Sequence, residues 1–302
     1  MKLSPQFVGT RLREYTTTVS WRDSMNYAAA TSDNNEVYFN DERKGGIIAP
    51  PMFSVALTWP VSENLSDYIE ADDFPAEIIP TMVHYTEHIR FFRPIKPGGK
   101  LAIRGKIAAV LRHWTGTHAI LRFDAADESG RSVFVEHIGA LFRGVECEGE
   151  GAGRSEVPEV PRHKKSPQPA DWQRRIEIDP LFTYIYDGCS NIYFPIHTSV
   201  NFARSMGLPG IIVQGTATLA LAVREITNGF ARGDPARIRT IACRFTDMVR
   251  PGSAIDIEAR SPEETTGPGR IRFDVKNENG KKAVSDGFVE LFEKGPFEGL
   301  PW

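Results

Sequence analysis
Residues 121–142 read LRFDAADESGRSVFVEHIGALF, and residues 271–292 read IRFDVKNENGKKAVSDGFVELF. Arg-Phe-Asp recurs at 122–124 and 272–274. Gly130 and Gly280 hold the same offset within their copies, as do Leu141-Phe142 and Leu291-Phe292. Apolar and polar residues alternate on either side of a turn, Asp127-Glu128-Ser129-Gly130 in one copy and Asn277-Glu278-Asn279-Gly280 in the other. Alternation with period two around a Gly-ended turn is the pattern of a β-hairpin. Two such hairpins with shared residues at shared offsets predict an internal duplication.

Matches extend outward from the hairpins. Phe92-Arg93-Pro94-Ile95-Lys96-Pro97-Gly98 leads into LAIRGKIAAV, and Phe245-Thr246-Asp247-Met248-Val249-Arg250-Pro251-Gly252 leads into AIDIEAR. Each reads as a strand, a Pro-Gly turn and a second alternating strand. Turn proline and hairpin glycine are 33 residues apart in the first copy and 29 in the second. Both copies also open with a helix. Ser20 is an N-cap before Trp21, Met25, Tyr27 and Ala28. Asp179-Pro180 is a helix start before Leu181, Phe182, Ile185 and Tyr186, because Asp caps orphan N–H groups and Pro is preformed for the first turn. A longer helix runs from Gly215 to about Asn228, with Leu219, Ala222, Val223 and Ile226 as its apolar stripe and Gly229 as its stop. It carries almost no charge before Arg224, and a helix apolar on most sides is a buried one.

The fold class is therefore α+β: two tandem units, each an antiparallel sheet of five or six strands wrapped around a long central helix. The expected boundaries are 1–145 for the first unit, 146–170 for a linker and 171–302 for the second. Residues 144–170, GVECEGEGAGRSEVPEVPRHKKSPQPA, are rich in Gly, Pro and charge and have no period. Edge-to-edge pairing of the two sheets would remove exposed strand edges. The whole chain is a possible homodimer.

Composition narrows the function. The chain has 302 residues, 41% hydrophobic and 25% charged, with a net charge of −3. Nothing in this resembles a nucleic-acid or membrane footprint. Arg162-His163-Lys164-Lys165 reads as solvated linker. Cys147, Cys189 and Cys243 are far apart and lack zinc spacing. They imply a reducing compartment with inert thiols and no metal. The sequence from Met1 has no signal-peptide pattern, and no apolar run reaches the roughly 18 residues of a membrane span. A cytoplasmic protein is expected. His84, His88, His113, His118 and His137 fall in strand-like stretches, so His84 and His88 do not share a helix face that could bind metal.

Candidate chemistry gathers at Asp187-Gly188-Cys189-Ser190-Asn191-Ile192-Tyr193-Phe194-Pro195-Ile196-His197 and at Val213-Gln214-Gly215-Thr216. Here the sequence resembles the MaoC-like, or hydratase 2, family of hot-dog proteins. Pro195-Ile196-His197 matches that family's Pro-(Leu/Ile)-His, and Val213-Gln214-Gly215 matches its Val-His-Gly with Gln for His. The first copy, with Thr31-Ser32-Asp33-Asn34-Asn35-Glu36-Val37-Tyr38-Phe39 and Gly46 to Phe53, resembles the N-terminal half of two-domain members. The resemblance covers nearly the whole chain outside the linker.

The resemblance implies reversible hydration of a trans-2-enoyl thioester to a 3-hydroxyacyl thioester, with coenzyme A or an acyl carrier and without a cofactor. His197 would be the acid/base. The backbone N–H of Gly215 would polarise the thioester carbonyl. The family's acidic residue stands five before the His; here that position is Ile192, and Asn191 stands six before. Counting from the helix caps favours Asn191 over Asp187 as the partner, and both stay candidates. Gln214, Thr216, Asp33 and Tyr193 are candidate substrate contacts. In the first copy Tyr38 replaces the His, which makes that half an acyl-binding partner rather than a second catalyst. Arg90, Arg93, Arg244 and Arg250 are candidates for coenzyme A phosphates. A thioesterase, with Gln214 aiming water at C1, and a non-catalytic acyl-CoA-binding subunit are the alternatives.

Overall fold
A computed structural model describes residues 1–163, 169–260 and 269–292. The N-terminal half holds strands β1 (Lys2–Leu3), β2 (Arg11–Thr18), β3 (Met82–Phe91), β4 (Lys100–His113), β5 (Gly116–Asp127), β6 (Ser132–Arg143) and β7 (Glu146–Cys147). Its helices are α1 (Trp21–Ala30), α2 (Phe53–Glu63) and α3 (Leu65–Tyr68). The C-terminal half holds β8 (Trp172–Glu177), β9 (Ile238–Phe245), β10 (Ala254–Arg260), β11 (Arg270–Lys276) and β12 (Lys282–Leu291). Its helices are α4 (Phe182–Ser190), α5 (Val200–Ser205) and α6 (Gly215–Phe230).

Ten of the strands form one antiparallel sheet in the order β2-β4-β5-β6-β3-β9-β12-β11-β10-β8. Five come from each half, and the order of one half mirrors the order of the other. The halves join through β3 and β9, where His88 pairs with Ala242. Pro97 and Pro251 match at an offset of 154, and the same offset carries position 88 onto 242. Equivalent positions therefore face each other at the seam, so a pseudo-twofold axis passes between them. This is the tandem hot-dog architecture.

The turn chemistry explains the repeats. Gly130 and Gly280 have φ of 73° and 71°, and Gly98 and Gly252 have 95° and 75°. These are left-handed conformations that glycine adopts without a Cβ clash. Ser20 Oγ accepts from Asp23 N and caps α1. Asp179 Oδ1 accepts from Leu181 N at 2.7 Å, but the helix that follows begins only at Phe182.

α6 is sheathed by the sheet, with Ala217, Leu219, Ala222 and Ile226 fully buried. It does not stop at Gly229. That glycine lies inside the helix, and a Cβ there would sit 3.3 Å from the Trp172 ring. The helix ends after Phe230, where the Ala231 N–H reaches Thr227 O and the chain reverses through Arg232 and Gly233, both with positive φ. Close approach to Trp172, not termination, is what that glycine allows.

The segment between the halves lies against the sheet. β7 pairs in parallel with β1. Ala152 bridges Val110, and Val157 packs on Ala108, Ala109 and Ile120. Lys164 and Lys165 of the basic stretch lie outside the described residues. No helix of the described residues is long and apolar enough to cross a membrane.

Candidate active site
α4 ends because Asn191 takes a left-handed conformation, φ 56°, with its N–H on Asp187 O at 3.1 Å. Asn fits this cap with little strain. Its side chain is exposed. Ile192, at the position where the family carries an acid, turns into the core at 2% exposure. Pro195 then opens a 3-10 turn that ends on His197.

His197 Nδ1 lies 2.8 Å from Ile212 O. A carbonyl oxygen only accepts, so Nδ1 carries the proton and Nε2 is left with a free lone pair. Burial lowers the imidazole pKa to about 4, against the smaller opposing effect of the Ile212 bond. Phe194 stands edge-on to the ring at 6.4 Å. Among the described residues no carboxylate forms an ion pair with His197. The imidazole is therefore neutral at pH 7, with one tautomer fixed by the backbone.

Ile212 leads directly into the start of α6. No side chain caps that helix, so its first N–H groups and positive dipole end remain available to a developing oxyanion. Gly215 is the first helical residue. A Cβ there would lie 3.1 Å from Phe245 Cδ1, and Phe245 in turn packs on the His84 ring at 4.6 Å. Gln214 is buried at 2% exposure, with Nε2 donating to Thr183 O at 3.2 Å and Oε1 without a partner. Thr216 Oγ1 accepts from the Tyr186 hydroxyl at 3.3 Å, and that hydroxyl lies 2.9 Å from the Tyr27 hydroxyl. Thr216 is thus held within the protein's own hydrogen bonds.

Asp187 has a different character from Asn191. Its Oδ1 is buried without a hydrogen bond, and burial raises its pKa. Desolvation raises the pKa of Glu63, at the end of α2, and the charge of nearby Asp187 raises it further. The N-terminal half also touches this loop at Trp59, whose Nε1 donates to Tyr193 O at 3.2 Å; the Tyr193 ring is exposed. Of the four candidate arginines, three already have carboxylates. Arg244 binds Asp286 at 2.7 Å, Arg93 meets Asp127 at 3.4 Å, and Arg250 meets Glu278 at 2.5 Å. Arg90 lies over the Phe92 ring at 5.3 Å.

The remaining candidate, Asp33, lies in the N-terminal half. It is 6% exposed, and its Oδ1 accepts from Asn35 N at 3.3 Å. Burial raises its pKa, partly offset by the Asn35 N–H and Arg224. Asp33 and His197 thus belong to two separate, equivalent places in the duplicated frame. The five strand histidines all fall in β3, β4, β5 and β6. No cluster of metal-ligating side chains occurs among the described residues.

Several participants escaped sequence reasoning: Tyr27, Tyr186, Phe245, Trp59, Glu63 and Arg224. The tyrosines had a usable signal, since each stands seven residues after its cap, at 20 and 179. The others make contacts across the two halves, and nothing local marks them.

A MaoC-like domain model matches residues 163–283, and a FAS1-like dehydratase-region model matches residues 6–136. The C-terminal half thus carries a MaoC-like domain, and the N-terminal half a FAS1-like dehydratase region. The chain is 26% identical over 255 residues to a probable enoyl-CoA hydratase 2 of Dictyostelium discoideum, covering 83% of this chain and 81% of that protein. It is 29% identical over 218 residues to 3-hydroxyacyl-thioester dehydratase Y of Mycobacterium tuberculosis, covering 69% and 72%. The crystal structure of a MaoC-like dehydratase from Phytophthora capsici superposes with a TM-score of 0.81 at 22% identity, covering 95% of this chain and 98% of that one.

Proposed function
We propose that this MaoC-like protein is a hydro-lyase that interconverts a trans-2-enoyl thioester and a 3-hydroxyacyl thioester at His197. The observation that carries the reading is the fixed, neutral imidazole, whose Nδ1–H is held by Ile212 O at 2.8 Å three residues before an uncapped helix start. Relatives named as hydratase and dehydratase support the same chemistry.

In the hydration direction, Nε2 removes a proton from water as the water oxygen bonds to C3. Electrons move from the C2=C3 double bond to the thioester oxygen. The enolate-like oxygen is stabilised by the N–H of Gly215 and the α6 dipole. The enolate then takes a proton at C2, for which protonated Nε2 is the donor. Hydrogen and hydroxyl have then added across the double bond, and dehydration is the reverse. A group with this role contributes about 10²–10⁴ in rate. Asp187, with its unpartnered buried oxygen, is the better partner for the water; Asn191 serves as the helix cap.

The acyl chain would extend from this site toward the N-terminal half. The substrate would be carried by coenzyme A or an acyl carrier. Three unpaired cysteines among the described residues are in keeping with a reducing, cytoplasmic setting. The exposed Leu181, Tyr184 and Ile185, at the cap and first turn of α4, would suit a homodimer contact.

The test is the loss of enoyl-thioester absorbance on short, long and branched trans-2-enoyl-CoA, beside His197→Ala. The expected result is a 3-hydroxyacyl-CoA product that the variant does not make. Release of free coenzyme A would point to thioester cleavage instead. Binding without turnover would leave an acyl-CoA-binding subunit.

A further inference from the structure
Two phenols meet between the halves of the molecule. Tyr27 and Tyr186 each stand seven residues after a cap, at 20 and 179, so they are equivalent positions on α1 and α4. Both are fully buried. Their rings meet edge to face with centroids 5.6 Å apart, and their oxygens are 2.9 Å apart. Desolvation holds both phenols above their ordinary pKa, Tyr186 at about 12. Both therefore keep their protons at neutral pH.

The duplication is broken just beyond this pair. The Tyr186 hydroxyl donates to Thr216 Oγ1 at 3.3 Å. A phenol has one proton to donate, so the 2.9 Å bond has one direction, from Tyr27 to Tyr186. The N-terminal half has no counterpart of the Thr216 bond. Gly46-Ile47-Ile48 and Gly210-Ile211-Ile212 share an offset of 164, which carries Thr216 onto Met52. Ser54 is the second residue of α2, as Thr216 is of α6, and its hydroxyl has no hydrogen bond. Two equivalent tyrosines thus serve one helix start.

That helix start is the one beside His197. Thr216 follows Gly215 directly, and no side chain caps α6. Each O–H of the chain points its proton toward Thr216. The positive ends of these dipoles face the same place as the positive end of the α6 dipole, and aligned hydroxyls polarise one another. Hydroxyl pairs are strongest at about 2.8 Å. The 3.3 Å link to Thr216 therefore has room to shorten as negative charge develops at the helix start, in the way catalytic bonds tighten toward the transition state.

We infer that Tyr27 is a positioning residue, which acts through Tyr186 and Thr216 to orient the first turn of α6 toward the thioester oxygen. The N-terminal half then takes part in the chemistry of the C-terminal half through a single hydroxyl. The inference rests on the reading of this helix start as the place where the thioester oxygen gathers charge.

Tyr27→Phe keeps the ring and removes that hydroxyl. For hydration of a trans-2-enoyl-CoA by the full chain, kcat is expected to fall about five- to tenfold, the effect of one uncharged hydrogen bond, with KM unchanged. Infrared difference spectra of bound [1-¹³C]butanoyl-CoA and [1-¹³C]dodecanoyl-CoA read the same helix start without turnover. The bound carbonyl band is expected below its free value in the unmodified protein and nearer to it in Tyr27→Phe. Thr216→Ser keeps the accepting oxygen, so Tyr27→Phe should still move the band in that background. In Thr216→Val it should not, because the chain is already cut. A lower thermal midpoint with kcat and the band unmoved would mean that the hydroxyl only holds the fold, and overturns the proposal. So does a rise in KM alone, a band at its free value in the unmodified protein, or a Tyr27→Phe effect that survives Thr216→Val. A band that depends on Tyr27, without hydration of any enoyl-CoA, would sink the proposed function alone. Hydration that is indifferent to Tyr27→Phe would sink this inference alone.

Discussion
His197 is neutral because the fold buries it against Ile212, and this makes its pH dependence a prediction. An unperturbed imidazole titrates near 6.5; burial lowers this one to about 4. Its basic form therefore persists through mild acid. The acid limb of kcat/KM for hydration is expected to be flat to about pH 5 and to fall with an apparent pKa about 4. A limb centred near 6.5 would mean that the imidazole is solvated in the working enzyme. The two candidate partners of His197 separate by mutation. Asp187→Asn removes an acid whose buried Oδ1 has no partner, and kcat is expected to drop roughly 10- to 100-fold, within the range for acid–base groups. Asn191→Gly keeps a residue suited to positive φ, so activity and thermal midpoint should both be retained. The opposite pattern would return Asn191 to the chemistry. Pro195-Ile196-His197 singles out His197 in the sequence as the candidate acid/base. Its tautomer was not legible there, because Ile212 O lies 15 residues downstream. Counting from helix caps pointed to Asn191 because counting carries no φ.

α6 shows how an element positions the site. Gly215 reads in the sequence as a place where a ligand approaches the backbone. In the fold the nearest side chain is Phe245 of β9, 3.1 Å from where a Cβ would stand. Gly215→Ala is therefore an overpacking change, worth typically about 1–3 kcal/mol of destabilisation. It should lower both the thermal midpoint and kcat, because in the proposed reaction the strained helix start supplies the N–H for the thioester oxygen. Adding Phe245→Leu makes room, and both quantities should recover together. Recovery of the midpoint with kcat still low would show that the substrate itself needs the space beside Gly215. The hairpins were readable from period two and their turn glycines, since those signals are local. The end of α6 was misread at Gly229 because the Trp172 ring, 57 positions earlier in the chain, sets the need for glycine there.

At the scale of the whole molecule, the fold carries a set of buried titratable groups, most of them in the sheet. Burial lowers His84, His88, His118 and His197 to about 4 and His137 to about 3. Glu87 and Glu136 are fully buried, and desolvation raises both well above the ordinary carboxylate range. The two classes act in opposite directions. An unfolded chain protonates its histidines below about pH 6.5 while the native one does not. Their contribution is thus present above about 6.5 and lost as pH falls toward 4. The glutamic acids stay protonated in the fold. Their contribution is present below about pH 4.5, where the unfolded chain is protonated too, and declines as pH rises. Between these limits five histidine protons oppose two glutamate protons, so stability should climb steeply from pH 5 to about 6.5. Above that the histidine contribution is constant and only the glutamate loss continues. The urea midpoint is therefore expected to peak between about pH 6 and 7 and to decline on both sides. Glu136→Gln isolates one limb. Its amide is the neutral counterpart of a carboxyl that the fold must keep protonated against the solvent at pH 8. The variant should raise the urea midpoint at pH 8 and change it little at pH 5. An equal change at both values would mean that Glu136 is ionised in the native core, held there by a cation or by water.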